Sequence, residues 1–180
     1  MLELLRSVIQ EVNRARDLVA VLDIIVERVK DAMNTEVCSV YLHDEHDERF
    51  VFMATRGLNT DAVGKVSLAL DEGLVGYVAE RAEPLNVEAV TQHPRNQYIA
   101  EIGEDEFNAF LGVPIIHQGQ TLGVLVVQQR DKRRFDESEE AQRVAANVRN
   151  RIENMRSALE NSFTASGRLT DITQALRTQS

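Results

Sequence analysis

Asp71-Glu72-Gly73-Leu74-Val75-Gly76-Tyr77-Val78-Ala79-Glu80, with Phe110-Leu111-Gly112-Val113-Pro114-Ile115-Ile116 and Leu122-Gly123-Val124-Leu125-Val126-Val127 after it, is the stretch that decides the fold. A short glycine-led helix is followed by an irregular polar segment, and then by two apolar strands joined by a polar turn. This order predicts a sheet with one face covered by short helices and loops, an arrangement that can enclose a small-molecule pocket. Nothing else in the sequence has the pattern of catalytic chemistry. Function therefore rests on a cavity and on helices able to report its occupancy.

The composition agrees with that emphasis. A chain of 180 residues, 43% hydrophobic, can bury one core and carry a helical extension. The formal net charge of -9 argues against wrapping nucleic acid, which needs clustered Lys and Arg to neutralise phosphates. The local basic cluster Arg130, Lys132, Arg133 and Arg134 reads as a solvated connection between a strand and a helix rather than a polyanion site. Cys38, the single cysteine, cannot form an intramolecular disulfide and fits a reducing compartment. No apolar run has the length of a membrane span, and Met1 to Arg6 lacks the layout of a signal peptide. A cytoplasmic protein without a membrane partner is expected.

Outward from the deciding stretch, the apolar spacing changes period. Leu5, Val8, Ile9 and Val12 share a helical face, as do Leu18, Leu22, Ile25, Val26, Val29 and Met33. Asp17 can restart the helix as an N-cap, or one bent helix can run through; Asn34 is a plausible stop. From Thr35 to Leu42 residues alternate on two faces as a strand, and the acidic stretch His43 to Glu48 leads into a second strand, Arg49 to Thr55. Val63 to Leu70 predicts a third strand or edge segment, Leu74 to Arg81 a short helix, and Pro84 to Val87 a brief strand. Thr91 to Asp105 is irregular, and loops of that size in a compact domain are often functional. Ala109 to Ile116 and Thr121 to Gln129 predict a hairpin, with Pro114 at an edge or bulge. Asp136 to Glu139 has capping-box spacing before a long helix. On that helix Val144, Val148, Ile152, Met155, Leu159 and Phe163 form a narrow stripe nearer to a coiled-coil seam than to a core-facing helix. Beyond Ser166-Gly167, the residues Leu169, Ile172 and Leu176 resume it weakly.

The order of elements resembles a GAF domain, and the residues carry the likeness further. Thr35-Glu36-Val37-Cys38-Ser39-Val40-Tyr41-Leu42, Phe52-Met53-Ala54-Thr55-Arg56-Gly57-Leu58 and Asp71-Glu72-Gly73-Leu74-Val75-Gly76 are similar to the N-terminal GAF domain of the nitrogen-related Enzyme I family. So are Ala82-Glu83-Pro84-Leu85-Asn86-Val87, Phe110 to Ile116 and Leu122 to Gln129. These enzymes are phosphoenolpyruvate–protein phosphotransferases, whose GAF domain precedes the phosphorylated and phosphoenolpyruvate-binding domains. The resemblance covers roughly residues 2 to 145. It implies an α+β sandwich, with short helices and loops on one face of a central antiparallel sheet and the N- and C-terminal helices on the other. The division expected is a dimerisation helix over 1–16, a sensor domain over 17–140 and a helical extension over 141–180. No His here has the Gly-rich, Ser-His context of the family's phosphorylated histidine, so no catalytic residue is assigned. The resemblance also implies control of phosphotransfer by downstream domains, with glutamine or 2-oxoglutarate as candidate effectors and a homodimer through the terminal helices.

In GAF domains the ligand lies between the sheet and the short helix and loop after its middle strand. That implies a rim of Leu74, Val75, Tyr77 and Val78, with Asn86, Tyr98, Phe107 and Phe110 nearby, and a floor from Tyr41, Met53 and Thr55. The alternative is a collapsed core serving as a dimerisation module. Arg56 can pair with a carboxylate ligand or with the acidic hairpin. Gly73 and Gly76 can bring N–H groups to an anion at a helix start, but Asp71 and Glu72 oppose one, and tight packing or a turn accounts for both glycines. His43, Asp44, His46 and Asp47 lack a second half-site for a metal, and an acidic hairpin tip explains them. Cys38 reads as a buried small hydrophobe. Disulfide redox cycling, bilin attachment and the cyclic-nucleotide signature all lack their residues. No cofactor or metal is expected.

Overall fold

The computed structural model describes residues 2–103 and 107–135, together with 142, 145, 146, 149, 150 and 152–154; for 2–5 and 7–15 it describes the backbone alone. The chain opens on one helix, α1 (Leu2–Ala32), with no break at Asp17. At about 1.5 Å per residue it is on the order of 45 Å long. Leu18, Leu22, Val26, Val29 and Met33 recur at helical spacing and are all buried, so the second half of α1 lies with one stripe on the sheet. Asn34 ends it in the left-handed region, at φ 49°. The Asn34 N–H donates to the Asp31 carbonyl (3.2 Å) and the Thr35 N–H to that of Lys30 (3.0 Å). Those two bonds satisfy carbonyls that a helix end otherwise leaves bare.

Six strands follow: β1 (Val37–Asp44), β2 (Arg49–Arg56), β3 (Ser67–Leu68), β4 (Leu85–Val87), β5 (Ala109–His117) and β6 (Gln120–Gln129), with helix α2 (Gly73–Arg81) between β3 and β4. They form one antiparallel sheet in the order β3-β2-β1-β6-β5-β4. The edge predicted over Val63 to Leu70 pairs as a regular strand only at Ser67 and Leu68. Pro114 lies beyond Gly112, the last residue of β5 that faces β4, and beside a register shift at Ile115/Ile116. A residue with no N–H to give is tolerated there.

Two buried clusters flank the sheet. One packs Cys38, Val40, Leu42, Val51, Met53, Leu111, Val113, Leu125 and Val127 against α1, together with Phe135, Ala145 and Ile152. The other packs Tyr41, Phe50, Phe52, Phe110, Val124 and Val126 against α2 and the loops around it. Residues 142, 145, 146, 149, 150 and 152–154 are helical, and Ala145 and Ile152 face the core rather than an exposed seam. His117 Nε2 lies 3.2 Å from Glu153 Oε2, a second tie between this segment and the end of β5. Val144, Val148, Met155, Leu159, Phe163, Leu169, Ile172 and Leu176 of the expected stripe, and the Asp136 to Glu139 cap, lie outside the described residues, as do the side chains of Leu5, Val8, Ile9 and Val12.

Ile152 is 3% exposed, so Ile152→Ala removes buried methyl groups from the core. A loss of about 2–4 kcal/mol is expected in urea unfolding. A loss below about 0.5 kcal/mol would place this segment off the sheet.

Candidate functional site

The face opposite α1 is too wide for α2 alone, and loops cover the rest. Gly76 sets how close α2 comes, because a Cβ on it would run into the carbonyl oxygens of Ala69 and Leu70. Packing, not anion binding, is thus the demonstrated reason for this glycine. Glu72, just before α2, makes no side-chain cap. Its Oε2 instead accepts from the Ala69 N–H (2.9 Å) and from Arg49 Nη2 (2.8 Å), while Arg49 Nε donates to Ser67 Oγ (2.7 Å). The Ala69 bond first, with burial opposing it and the Arg49 charge and hydrogen bond adding to it, holds the Glu72 carboxyl below the usual glutamate range.

Between α2, the sheet and the loop after β4 lies a cavity of about 290 Å³. Leu68, Leu74, Val75, Val90, Ile99, Phe107 and Phe110 give it an apolar lining, and Gly73, Thr91, Asn96, Gln97, Tyr98 and Gln128 complete the wall. Gln128, 4% exposed, stands in β6 on the same face as Val124 and Val126. No charged side chain is among the described lining residues. Across Gln97, Tyr98 and Ile99, an open groove carries both signs of charge: Arg49, Lys65, Asp61, Glu72 and Glu101. An apolar chamber with a few placed polar groups suits a small molecule whose buried part is uncharged.

Of the residues expected to form the pocket, Leu74, Val75, Tyr98, Phe107 and Phe110 line this cavity. The others lie elsewhere. Tyr41 faces the same side but is sealed in the second cluster, its ring 5.2 Å from that of Phe52. Met53 does not form a floor: Tyr41 pairs with Phe52, so the next residue points to the α1 side. Thr55 is buried in a hydrogen bond with Ser39 (2.9 Å between the hydroxyl oxygens). Arg56 pairs with neither a pocket group nor the acidic hairpin; its Nη1 lies 3.6 Å from Asp23 Oδ1 on α1. Val78 is on the buried face of α2, in the second cluster. Tyr77 turns away from the cavity, toward His93, Arg81 and Arg95. Asn86 clasps the segment after β6, its Nδ2 donating to the Phe135 carbonyl and its Oδ1 accepting from the Phe135 N–H (3.1 Å).

The sequence reading missed Leu68, Val90, Thr91, Asn96, Gln97, Ile99 and Gln128. Gln128 was within reach, because strict alternation through Val124 and Val126 places it on the cavity face. The loop residues carry no periodic signal.

Other features settle into structure. Arg130 meets Glu36 (3.2 Å) and lies 5.3 Å from the Phe107 ring centroid; Arg133 lies 4.9 Å from that of Phe135. Among the described residues no group of three His, Cys, Asp or Glu is placed to hold a metal. None of the described helices is long and apolar enough to cross a membrane.

The family model of the GAF domain matches residues 17–152. The chain belongs to the GAF family. Over 142 residues it is 51% identical to an Escherichia coli protein named "Phosphoenolpyruvate-dependent phosphotransferase system", covering 78% of this chain and 19% of that protein. The chain thus spans about a fifth of the length of its curated relative. Among solved structures it resembles the GAF domain from a phosphoenolpyruvate-protein phosphotransferase of Coxiella burnetii, with TM-score 0.73, 41% identity, and 88% and 95% of the two chains covered. The corresponding GAF domain from Acinetobacter gives TM-score 0.70 and 40% identity, with 88% and 97% covered.

The Glu72 clamp joins β3 to the start of α2 in this GAF domain, and its pH dependence has a fixed sign. A carboxyl lowered in the folded state contributes stability that is present above its unfolded value and lost as pH falls through the folded one. Glu72→Gln is expected to lower the melting temperature at neutral pH and to remove part of the acid-side decline below about pH 4.5. Parallel melting-temperature profiles of the two proteins would contradict the clamp.

Proposed function

We propose that this GAF domain is a regulatory small-molecule sensor in a longer protein, controlling phosphoenolpyruvate-dependent protein phosphotransfer in nitrogen signalling. The observation that carries the reading is the cavity beneath the loop after β4, in a chain 51% identical to part of a phosphotransferase-system protein. The phosphotransfer chemistry belongs, on this reading, to domains elsewhere in the polypeptide. The setting is cytoplasmic, and neither nucleic acid nor membrane takes part.

Glutamine and 2-oxoglutarate are the candidate effectors, and the charge pattern separates them. A dicarboxylate would have to enter a chamber without a described cationic side chain, at a cost that an uncharged group does not meet. Glutamine can bury its amide end near Gln128 and leave its ammonium and carboxylate toward the two-signed groove across Tyr98. Occupancy favours one arrangement of the loop from Val90 to Gly103. The Asn86 clasp on Phe135 passes that bias to the C-terminal helical segment. The terminal helices make the dimer through which the bias reaches the output. Only a ligand that binds the two arrangements unequally can act this way.

A thermal-shift comparison of the unaltered chain and Val75→Phe, which fills the cavity from its wall, tests this reading. Glutamine at about a hundred times its dissociation constant is expected to stabilise the former by roughly 2.7 kcal/mol and the latter by nothing measurable. Equal stabilisation of both proteins would move the site elsewhere. Failure of glutamine, 2-oxoglutarate and other small metabolites at millimolar concentration would leave a ligand-free dimerisation module.

A further inference from the structure

The wall of the cavity nearest solvent is a strap of loop held at its two ends. At the far end the Asn59 N–H donates to the Ile102 carbonyl and Asn59 Nδ2 to that of Glu101, both at 3.0 Å. At the near end the anchor is Arg95. Its Nη1 donates to Glu80 Oε2 (3.1 Å) and its Nη2 to the Leu70 carbonyl (2.7 Å), and the guanidinium carbon stands 5.5 Å from the Tyr77 ring centroid. Gln97 and Tyr98, both exposed, hang between the two anchors and close the cavity mouth.

The near anchor depends on the protonation of one imidazole. The Arg95 backbone N–H donates to Nδ1 of His93 at 3.1 Å. A side-chain acceptor two residues before an N–H fixes a turn, as Asn and Asp do at loop starts. Only an Nδ1 without a proton can accept. The His93 ring also meets Tyr77 edge-on, with centroids 5.0 Å apart and planes at 73°.

Among the described residues, the ionisable groups placed around His93 and its contacts belong to its own loop or to α2. Arg95 is on the loop; Tyr77, Glu80 and Arg81 are on α2, with Arg81 5.4 Å from the same Tyr77 ring and Glu80 already taken by Arg95. A proton on Nδ1 would remove the acceptor that sets the turn. It would also place a second cation beside Arg95, with no uncommitted carboxylate among these groups to offset it.

We propose that residues 93–98 are a latched flap over the cavity, closed while His93 Nδ1 is unprotonated and released when that nitrogen takes up a proton. Burial first, and the Arg95 charge second, hold His93 below the usual imidazole range, so the latch is set at neutral pH. Closure is at full strength above the ordinary histidine value and weakens as pH falls through the lowered one. The flap needs no ligand to close, so this inference goes beyond the sensor reading.

The single native cysteine makes the test clean. Cys38 is fully buried and burial pushes its thiol far up, so it is silent to a thiol reagent while the fold is intact. Val75, 3% exposed on the cavity wall, is the reporter position. The rate of reaction with dithiodipyridine is compared between Val75→Cys and Val75→Cys/His93→Asn, in which the Asn amide oxygen keeps the turn acceptor and does not titrate. Thiol ionisation cancels in the ratio of the two rates. That ratio is expected near one at about pH 7.5 and to rise roughly five- to tenfold by about pH 5.5. A flat ratio overturns the proposal. Arg95→Gln in the reporter background is expected to speed labelling about tenfold at neutral pH while Cys38 stays unreactive; an unchanged rate also overturns it. Should the asparagine variant expose Cys38, amide exchange of Arg95 to Tyr98 in the unaltered chain reads the same opening. Exchange faster than the intrinsic pH trend below about pH 6.5 supports the latch, and exchange that follows the trend rejects it. The outcome is independent of whether any metabolite binds.

Discussion

The pairing of β1 with β6 is the constraint on which the rest of the molecule depends. It joins the β1–β2 and β5–β6 hairpins into one sheet through the pairs Val37↔Gln128 to Leu42↔Gly123. Gly123 is needed there, because a Cβ at that position would strike the Tyr41 carbonyl oxygen. With this register, Leu125 and Val127 face α1 while Val124, Val126 and Gln128 face α2 and the cavity. Because side chains alternate with period two, a slip of one residue would turn Gln128 toward α1 and push Leu125 and Val127 into the cavity. The cavity is therefore a property of strand register before it is a property of any loop.

The two faces of the sheet are covered in different ways. On one side α1 lays a continuous stripe, and Leu18, Leu22 and Val26 are each no more than 1% exposed. Phe135, Ala145 and Ile152 join that stripe in the same buried cluster. On the other side α2 has nine residues, about 13 Å of helix, and cannot span the sheet. Loop takes over where the helix stops. A loop cannot interdigitate with a sheet as a helix does, since its backbone must also find hydrogen-bond partners, as Val90 does with the Asn108 carbonyl at 2.8 Å. The cavity lies at this junction between helical and loop cover. Asn86 connects the two faces, joining β4 to the chain at Phe135, the residue that fills the α1-side core.

Much of this was legible in the sequence, for reasons that differ by element. The strands announced themselves through alternation of branched and aromatic residues, and α1 through Leu18, Leu22, Val26, Val29 and Met33 at helical spacing. Asn34 could be read as a helix stop because Asn tolerates the left-handed conformation found there. The lining of the cavity was partly legible. Leu74, Val75, Tyr98, Phe107 and Phe110, expected from the resemblance to GAF domains, line the cavity, whereas Met53 required the pairing partner of Tyr41, which the sequence does not display. Arg56 found Asp23 rather than the acidic hairpin because α1 crosses the end of β2. Asn86 and Phe135 are 49 residues apart, and no local rule reports a clasp between them. Gly76 was legible as a packing glycine; its partners, the carbonyls of Ala69 and Leu70, were not.

We propose that the chamber beneath the loop after β4 receives a small molecule and that the clasp at Phe135 registers it. Methyl- and amide-resolved NMR during a glutamine titration measures both at once. Saturable shifts are expected at the methyl groups of Leu74, Val75, Val90 and Ile99 and at the Gln128 side-chain amide, with matching shifts at Asn86 and Phe135. Shifts confined to the acidic hairpin or to exposed positions on α1, or shifts at the cavity with none at Asn86 and Phe135, would contradict it.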